Sequence, residues 1–315
     1  MLSRIVACSV CALAFTASPA PGAEQLVKVL TGSTRSAYYQ LGIALADNIG
    51  KTLKVRTSVE ATKGPVESLD LLQSGNGAIA FALGDSLSDA WKGRKDAGFK
   101  TPLDKLRGIA AIYPSYIHII ARSDSGIKTL ADLRGKRVSV GLPKSPIELN
   151  ARTLFTAAGL SYSDLATTEY FPLGESIELI KERQIDAMLV STGLGAFTLR
   201  DLAKAQPVVV VSIPAEVIQR ADDHAYIPAT IPANTYPGQT ADVPTAAVQN
   251  YVVTSADVSA EVVFGITSAL WTGLEQLVAA HPEAKAIDFK RALDGMPVPL
   301  HPGAEKYYRE MGLIR

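Results

Sequence analysis

An α/β fold, with mainly parallel sheets wrapped by helices, is what this sequence predicts. Two observations carry that expectation. Short apolar runs of strand character alternate with segments whose apolar residues recur at helical spacing. The connections between them are short and rich in Gly, Ser, Thr and Pro, as strand–helix–strand units require. At 315 residues, 47% of them hydrophobic, the chain has enough apolar material for the cores of two lobes and too much for a disordered chain.

The elements follow in order. Residues 27–31 read as a strand ending in a Gly/Ser/Thr turn, and Leu41, Ala44, Leu45 and Ile49 place a helix over 37–49. Residues 53–59 alternate like a strand. Pro65 then stands where a helix opens, and Val66, Leu69, Leu71 and Leu72 carry it to Gly75. A short apolar strand over 78–83 precedes a helix starting at Asp85, and 109–113 and 117–121 read as two further strands. The pattern repeats with a strand at 138–140, a helix at 147–158 stopped by Gly159, a helix at 177–183, and strands at 185–190 and 208–211. The density of Pro, Asn and Gly across 227–244 predicts a long irregular segment. A broad helical stripe over 260–280 and a final helix over 304–311 complete the chain, and no short repeats or heptads are evident.

Residues 1–23 read as a secretory signal peptide. Arg4 gives a basic start, 5–17 form an apolar run too short to span a bilayer, and Ser18-Pro-Ala-Pro-Gly-Ala23 is a small-residue exit. Both cysteines, Cys8 and Cys11, fall within it. The remaining chain thus excludes disulfide scaffolds, thiol catalysis and Cys-ligated metal, and suits an oxidising periplasm. No later run is long enough to imply stable membrane insertion after signal cleavage. Lys plus Arg and Asp plus Glu number 31 each, so the basic excess of a nucleic-acid binder is missing.

In open α/β sheets, ligands gather beyond the carboxyl ends of strands, where helix N-termini offer free N–H groups. Four loops fit that description. They are Thr31-Gly-Ser-Thr-Arg-Ser36, Thr62-Lys-Gly-Pro65, Tyr113-Pro-Ser115 and Gly141-Leu-Pro-Lys-Ser145. In the first, Arg35 has the fork to grip a carboxylate with two hydrogen bonds. Each loop alone reads equally as an ordinary turn or cap; their recurrence in register is what points to a ligand.

Gly84-Asp85-Ser86-Leu87 matches the nucleophile block of GDSL-type esterases, which makes a secreted esterase using Ser86 a remote alternative. Such enzymes carry an Asp three residues before the catalytic His. Here His118, His224, His281 and His301 follow Ser115, Ala221, Val278 and Val298 instead. Asp85 and Ser86 are better read as caps of the helix, with Asp85 also able to face a ligand. His301 and Glu305 share a helical spacing, but two ligands do not make a metal site, and Pro302 assigns His301 to capping. No metal and no cofactor are expected, since Walker and dinucleotide Gly patterns are also missing.

Several stretches together resemble the TAXI group of extracytoplasmic solute-binding proteins that serve TRAP transporters. The most specific is Pro299-Leu-His-Pro-Gly-Ala-Glu-Lys-Tyr-Tyr-Arg-Glu-Met-Gly312. Also similar are Thr31-Gly with Tyr38-Tyr39 and Leu41-Gly42, Ala110-Ala-Ile-Tyr-Pro114 with Ile117-His118, Asp124-Ser-Gly-Ile-Lys with 132–141, and Gln184-Ile-Asp-Ala187. The resemblance implies a two-lobed periplasmic binding protein, type II-like. Lobe 1 would hold 24–117 and 254–315 and lobe 2 would hold 118–253, joined by crossing strands at 116–121 and 251–254. It further implies a monomer that closes on a small solute and delivers it to TRAP membrane permease subunits, with no bond broken. A ligand-sensing subunit docking on a membrane receptor kinase is the alternative output.

The departures from the family pattern fall where ligand would sit. Its neutral loops here carry Arg35, Lys63 and Lys144, its Thr-Gly-Gly-Ser-Val-Glu-Asn reads Thr62-Lys-Gly-Pro-Val-Glu-Ser68, and Pro146 removes a donor. These changes predict a strongly anionic solute, a dicarboxylate or an acidic amino acid. The expected ligand-binding set is Arg35, Ser36, Tyr38, Tyr39, Lys63, Gly64, Asp85 and Tyr113, facing Lys144, Ser145, Thr192 and Gly193. Arg35 and Lys63 would clamp the anion against Lys144 and Ser145. The tyrosines would supply hydroxyls or wall the cleft, core packing being their alternative.

Overall fold

The computed structural model describes residues 26–34, 36–221 and 225–315. The expected signal peptide, Arg35 and His224 therefore lie outside the described residues. Strand β1 (Leu26–Leu30) runs through the first loop into α1 (Ala37–Leu53). Ser36 caps that helix, its backbone extended and its hydroxyl accepting the Tyr39 N–H at 3.3 Å. Strands β2 (Arg56–Glu60) and β3 (Ile79–Leu83) flank β1 in parallel, with α2 (Pro65–Gln73) between them in sequence. Helix α3 (Gly84–Lys92) follows β3 directly. Its N-cap is Leu83, so the expected side-chain cap is absent; Asp85 instead accepts the Ser86 N–H at 2.6 Å within the first turn.

Strand β4 (Leu106–Arg122) is continuous where two strands were expected. Pro114 does not break it because it lies opposite Gln249 beside a register shift, where a missing N–H is tolerated. Then come β5 (Arg137–Ser139), α4 (Pro146–Ala157), β6 (Thr167–Glu169), α5 (Leu173–Lys181), β7 (Ala187–Thr192), α6 (Phe197–Ala205), β8 (Val208–Val211), α7 (Ala215–Arg220) and β9 (Tyr226–Ile231). The long return strand is β10 (Val243–Ser255). The segment expected to be irregular over 227–244 thus begins with β9, an edge strand whose one partner in the sheet is β10; that position accommodates Pro228.

Helices α8 (Ala260–Thr272), α9 (Leu274–Ala280) and α10 (Pro302–Glu310) close the chain. The single stripe expected over 260–280 is two helices bent by 63° at Gly273. There the Asn48 amide donates to the Gly273 carbonyl at 3.0 Å, and a Cβ on that residue would lie 1.9 Å from Asn48 Nδ2. Among the described residues no single helix is long and apolar enough to cross a membrane. His301 caps α10 as expected: its Nδ1 accepts the Gly303 N–H at 3.1 Å, and its Nε2 donates to the Val258 carbonyl at 2.9 Å.

The sheet order is β2-β1-β3-β10-β4-β7-β5-β6, with β9 added to β10 and β8 to β4. The α/β expectation holds, but the parallel pairs lie only towards the two ends; every pair involving β4 or β10 is antiparallel. Buried apolar side chains form two groups around β1, β3 and the terminal helices, including Val29, Leu45, Ile266 and Leu69. Two more surround β5, β7 and β8, including Val138, Leu154, Ile180 and Leu202. Burying each such side chain contributes roughly 1.5–3 kcal/mol. Loops at the carboxyl ends of β1, β2 and β7 open between these sets.

Candidate functional site

The loops after β1 and β2 are stapled by buried hydroxyls. Ser68 Oγ donates to the Thr31 carbonyl at 3.0 Å and lies 2.8 Å from Thr62 Oγ1, which also bonds that carbonyl. This fixes the entry to α1 against the entry to α2. Two helix starts then face one groove, and they share a short motif. Lys63-Gly-Pro-Val-Glu67 opens α2 and Lys144-Ser-Pro-Ile-Glu148 opens α4. In each, Pro occupies the first turn and the Glu carboxylate takes the Lys backbone N–H, at 2.6 Å for Glu67 and 3.2 Å for Glu148.

The two starts differ at the cap. Ser145 accepts the Glu148 N–H at 3.3 Å, whereas Gly64 has no side chain to offer and adopts φ 145°. Among the described residues, the Val66 and Glu67 N–H groups have no acceptor, so α2 presents an open N-terminus to the groove.

Inward of this mouth lies a cavity of about 400 Å³. Ser36, Tyr38, Gly64, Tyr113, Ser145 and Thr192 of the expected set line it. It opens into a wider groove of about 730 Å³, bordered by Gly193 and by the Pro282–Ala286 turn after α9. Tyr38 stacks on Phe81 with centroids 5.3 Å apart and gives its hydroxyl proton to Asn250. Asn250 in turn donates to the Tyr113 carbonyl at 2.7 Å and to Ser115 Oγ at 2.9 Å. Burial, and then neighbouring negative charge, pushes both Tyr38 and Tyr113 well above the ordinary phenol pKa, so both act as neutral donors.

Other expected residues lie elsewhere. Lys63 and Lys144 are exposed at the mouth rather than inside it. Tyr39 does not line the cavity, since one step along a helix turns a side chain by about 100° from Tyr38. Asp85 is a correction too. Its buried carboxylate is drawn away into a polar cluster, accepting from Asn150 Nδ2 at 2.5 Å and from the Tyr226 hydroxyl at 3.1 Å. Ser86 is 2% exposed, too deep for an esterase nucleophile.

Sequence reading missed Asn250, Ser191 and Glu283 and reached Ser115 only as the end of the Tyr113-Pro-Ser115 loop; all four line the cavity. It also missed a relay behind the Thr192–Phe197 loop. His118, fully buried, donates from Nδ1 to the Tyr116 carbonyl at 2.9 Å. Its Nε2 must then accept from the Tyr236 hydroxyl at 2.8 Å, and that oxygen accepts the Gly195 N–H at 3.1 Å. Burial pushes the His118 pKa down to about 4, keeping it neutral.

Solved structures share this fold. PhnD1 from Prochlorococcus marinus (MIT 9301), in complex with methylphosphonate, is 13% identical with a TM-score of 0.60, covering 93% of this chain and 100% of that one. MatC (Rpa3494) from Rhodopseudomonas palustris, with bound malate, is 13% identical with a TM-score of 0.56, covering 91% and 96%. XAC2383 from Xanthomonas citri, bound to ATP, is 14% identical with a TM-score of 0.55, covering 91% and 96%. A family model described as the NMT1-like family matches residues 29–312. The chain therefore belongs to the NMT1-like family.

Proposed function

We propose that this chain is the periplasmic solute-binding subunit of a TAXI-type TRAP transporter and that it captures a small anionic solute in the cavity between two lobes. The observation that carries the reading is the mouth, where the open N-terminus of α2 faces the start of α4 with Lys63 and Lys144 beside them. Unpaired N–H groups, aligned helix dipoles and two ammonium groups together favour a carboxylate or a similar anion. PhnD1 and MatC were solved with anions, methylphosphonate and malate, which supports the same class. Lobe 1 would be 24–117 with 254–315 and lobe 2 would be 118–253, the long strands β4 and β10 bending as the cleft closes. Ligand favours closure only to the extent that it binds the closed state better. The transporter type rests on the resemblance of the 299–312 stretch.

Thermal melting of the purified protein, stripped of bound solute, against carboxylates, phosphonates and neutral sugars tests the reading. A binding anion should add about 2.7 kcal/mol of stability at one hundred times its dissociation constant. The Lys63→Ala/Lys144→Ala double variant should weaken that anion about tenfold or more. Stabilisation by neutral sugars alone would overturn the anionic solute. Uptake of the stabilising anion by cells lacking the gene, unchanged from wild type, would overturn the transport role.

A further inference from the structure

Glu283 is the one charged side chain among the described residues that line the cavity. It enters from the Pro282–Ala286 turn and is held in place. The Gly193 N–H donates to its Oε1 at 2.9 Å, and Tyr113 lines the cavity beside it. Gly193 is shaped for this contact. A Cβ there would lie 2.7 Å from Oε1 and 2.8 Å from Cγ of Glu283, so any side chain would displace the carboxylate.

Among the described residues the charge is not balanced locally. The one basic side chain within 4.0 Å among the described residues is His281, whose Nδ1 lies 4.0 Å from Oε2. That nitrogen faces the Glu283 backbone N–H at 3.3 Å rather than the carboxylate. A carboxylate accepts about four hydrogen bonds, and Gly193 accounts for one among the described residues. Acceptor capacity and negative charge are left over, in a cavity otherwise walled by hydroxyls, an amide and apolar groups.

The geometry points to Glu283 as the specificity-determining residue of the cleft: it takes a hydrogen-bond donor, best an ammonium, on the ligand and turns away a second carboxylate. This rests on the anion-binding reading above, with the α2 and α4 starts holding one end of the solute and Glu283 the other. It amends the sequence-based expectation, because a plain dicarboxylate would set like charges together at the Glu283 end.

Calorimetric titration with probes matched in length tests it: succinate against β-alanine, glutarate against 4-aminobutyrate, and adipate against 5-aminopentanoate. At the length that fits, wild-type protein should bind the amino compound about tenfold or more tightly than the diacid. Glu283→Gln should remove or reverse that preference, its amide oxygen still accepting from Gly193. Glu283→Asp, which retracts the charge, should shrink the preference in the same direction and serves if the Gln variant folds poorly. A preference unchanged in both variants, or diacids favoured by wild type, overturns the role of Glu283; continued weakening of all probes by Lys63→Ala/Lys144→Ala would show that the anion reading survives it. Binding of butylammonium that depends on Glu283 but not on the lysines overturns the anion reading and leaves Glu283 standing. No binding of any probe overturns both.

Discussion

Replacing His118 with Gln should remove most of this protein's sensitivity to mild acid. The imidazole is fully buried on β4, donates to the Tyr116 carbonyl and accepts from Tyr236, so it must be neutral in the fold. Its pKa is about 4 there against 6.5 when free. Between those values the unfolded chain binds a proton that the native state refuses, so native stability falls as pH drops through that window. The full loss is about 3 kcal/mol, of which about 2 kcal/mol falls between roughly pH 7 and pH 5. The carboxylates held low, such as Asp132, Asp164 and Asp186, act below this range. His301, also held low by burial, shares the sign, so the comparison is with wild type at each pH. Gln can still accept from Tyr236 but cannot titrate. Urea unfolding at the two pH values should show wild type losing about 2 kcal/mol more than the variant, which starts about 1 kcal/mol weaker at neutral pH for want of the Tyr116 bond. An equal loss in both proteins would refute the reasoning.

Three further outcomes follow from single contacts. Gly193→Ala should cost about 1–3 kcal/mol in thermal or urea unfolding, because its Cβ meets the Glu283 carboxylate at 2.7 Å; Gly193→Ala combined with Glu283→Ala should recover part of that loss. Gly64→Ala should cost about 1–3 kcal/mol even though no atom lies within 4 Å of the new Cβ, since a φ of 145° is open only to glycine; a neutral result would mean the loop can rotate away. Asp186→Asn should cost about 2 kcal/mol at neutral pH by weakening bonds from Arg137 at 2.8, 2.9 and 3.1 Å. Arg137 holds the Asp186 pKa below the ordinary value, so that stability is lost as pH falls through the native value and the gap to the variant should narrow in acid.

Much of the fold was legible because local signals agree with it. Ser36 and Ser145 cap the helices they were expected to open, and Pro65 and Pro146 sit in first turns. Those same loops supplied Ser36, Gly64 and Ser145, so the half of the cavity beside the α2 and α4 starts was within reach. The other half was not. Glu283 follows a His-Pro step that reads only as a helix stop, and its meeting with Gly193 depends on tertiary packing. Asn250 did leave a trace, since Gln249-Asn250 interrupts an otherwise apolar strand at a register shift. Asp85 misled because a carboxylate at a helix start suits a ligand as well as it suits Asn150 and Tyr226.

The path of β4 and β10 also governs the order in which the molecule can assemble. Phe81 and Ala110 both pair with Val252, so the N-terminal strands gain their central neighbour only when a segment far down the chain arrives. Pairing of β7 and β8 with β4 closes much shorter loops. Loop-closure entropy makes the distant pairing the slower event. Until β10 docks, β3 has an uncovered edge, which exposes the chain to mispairing during that interval.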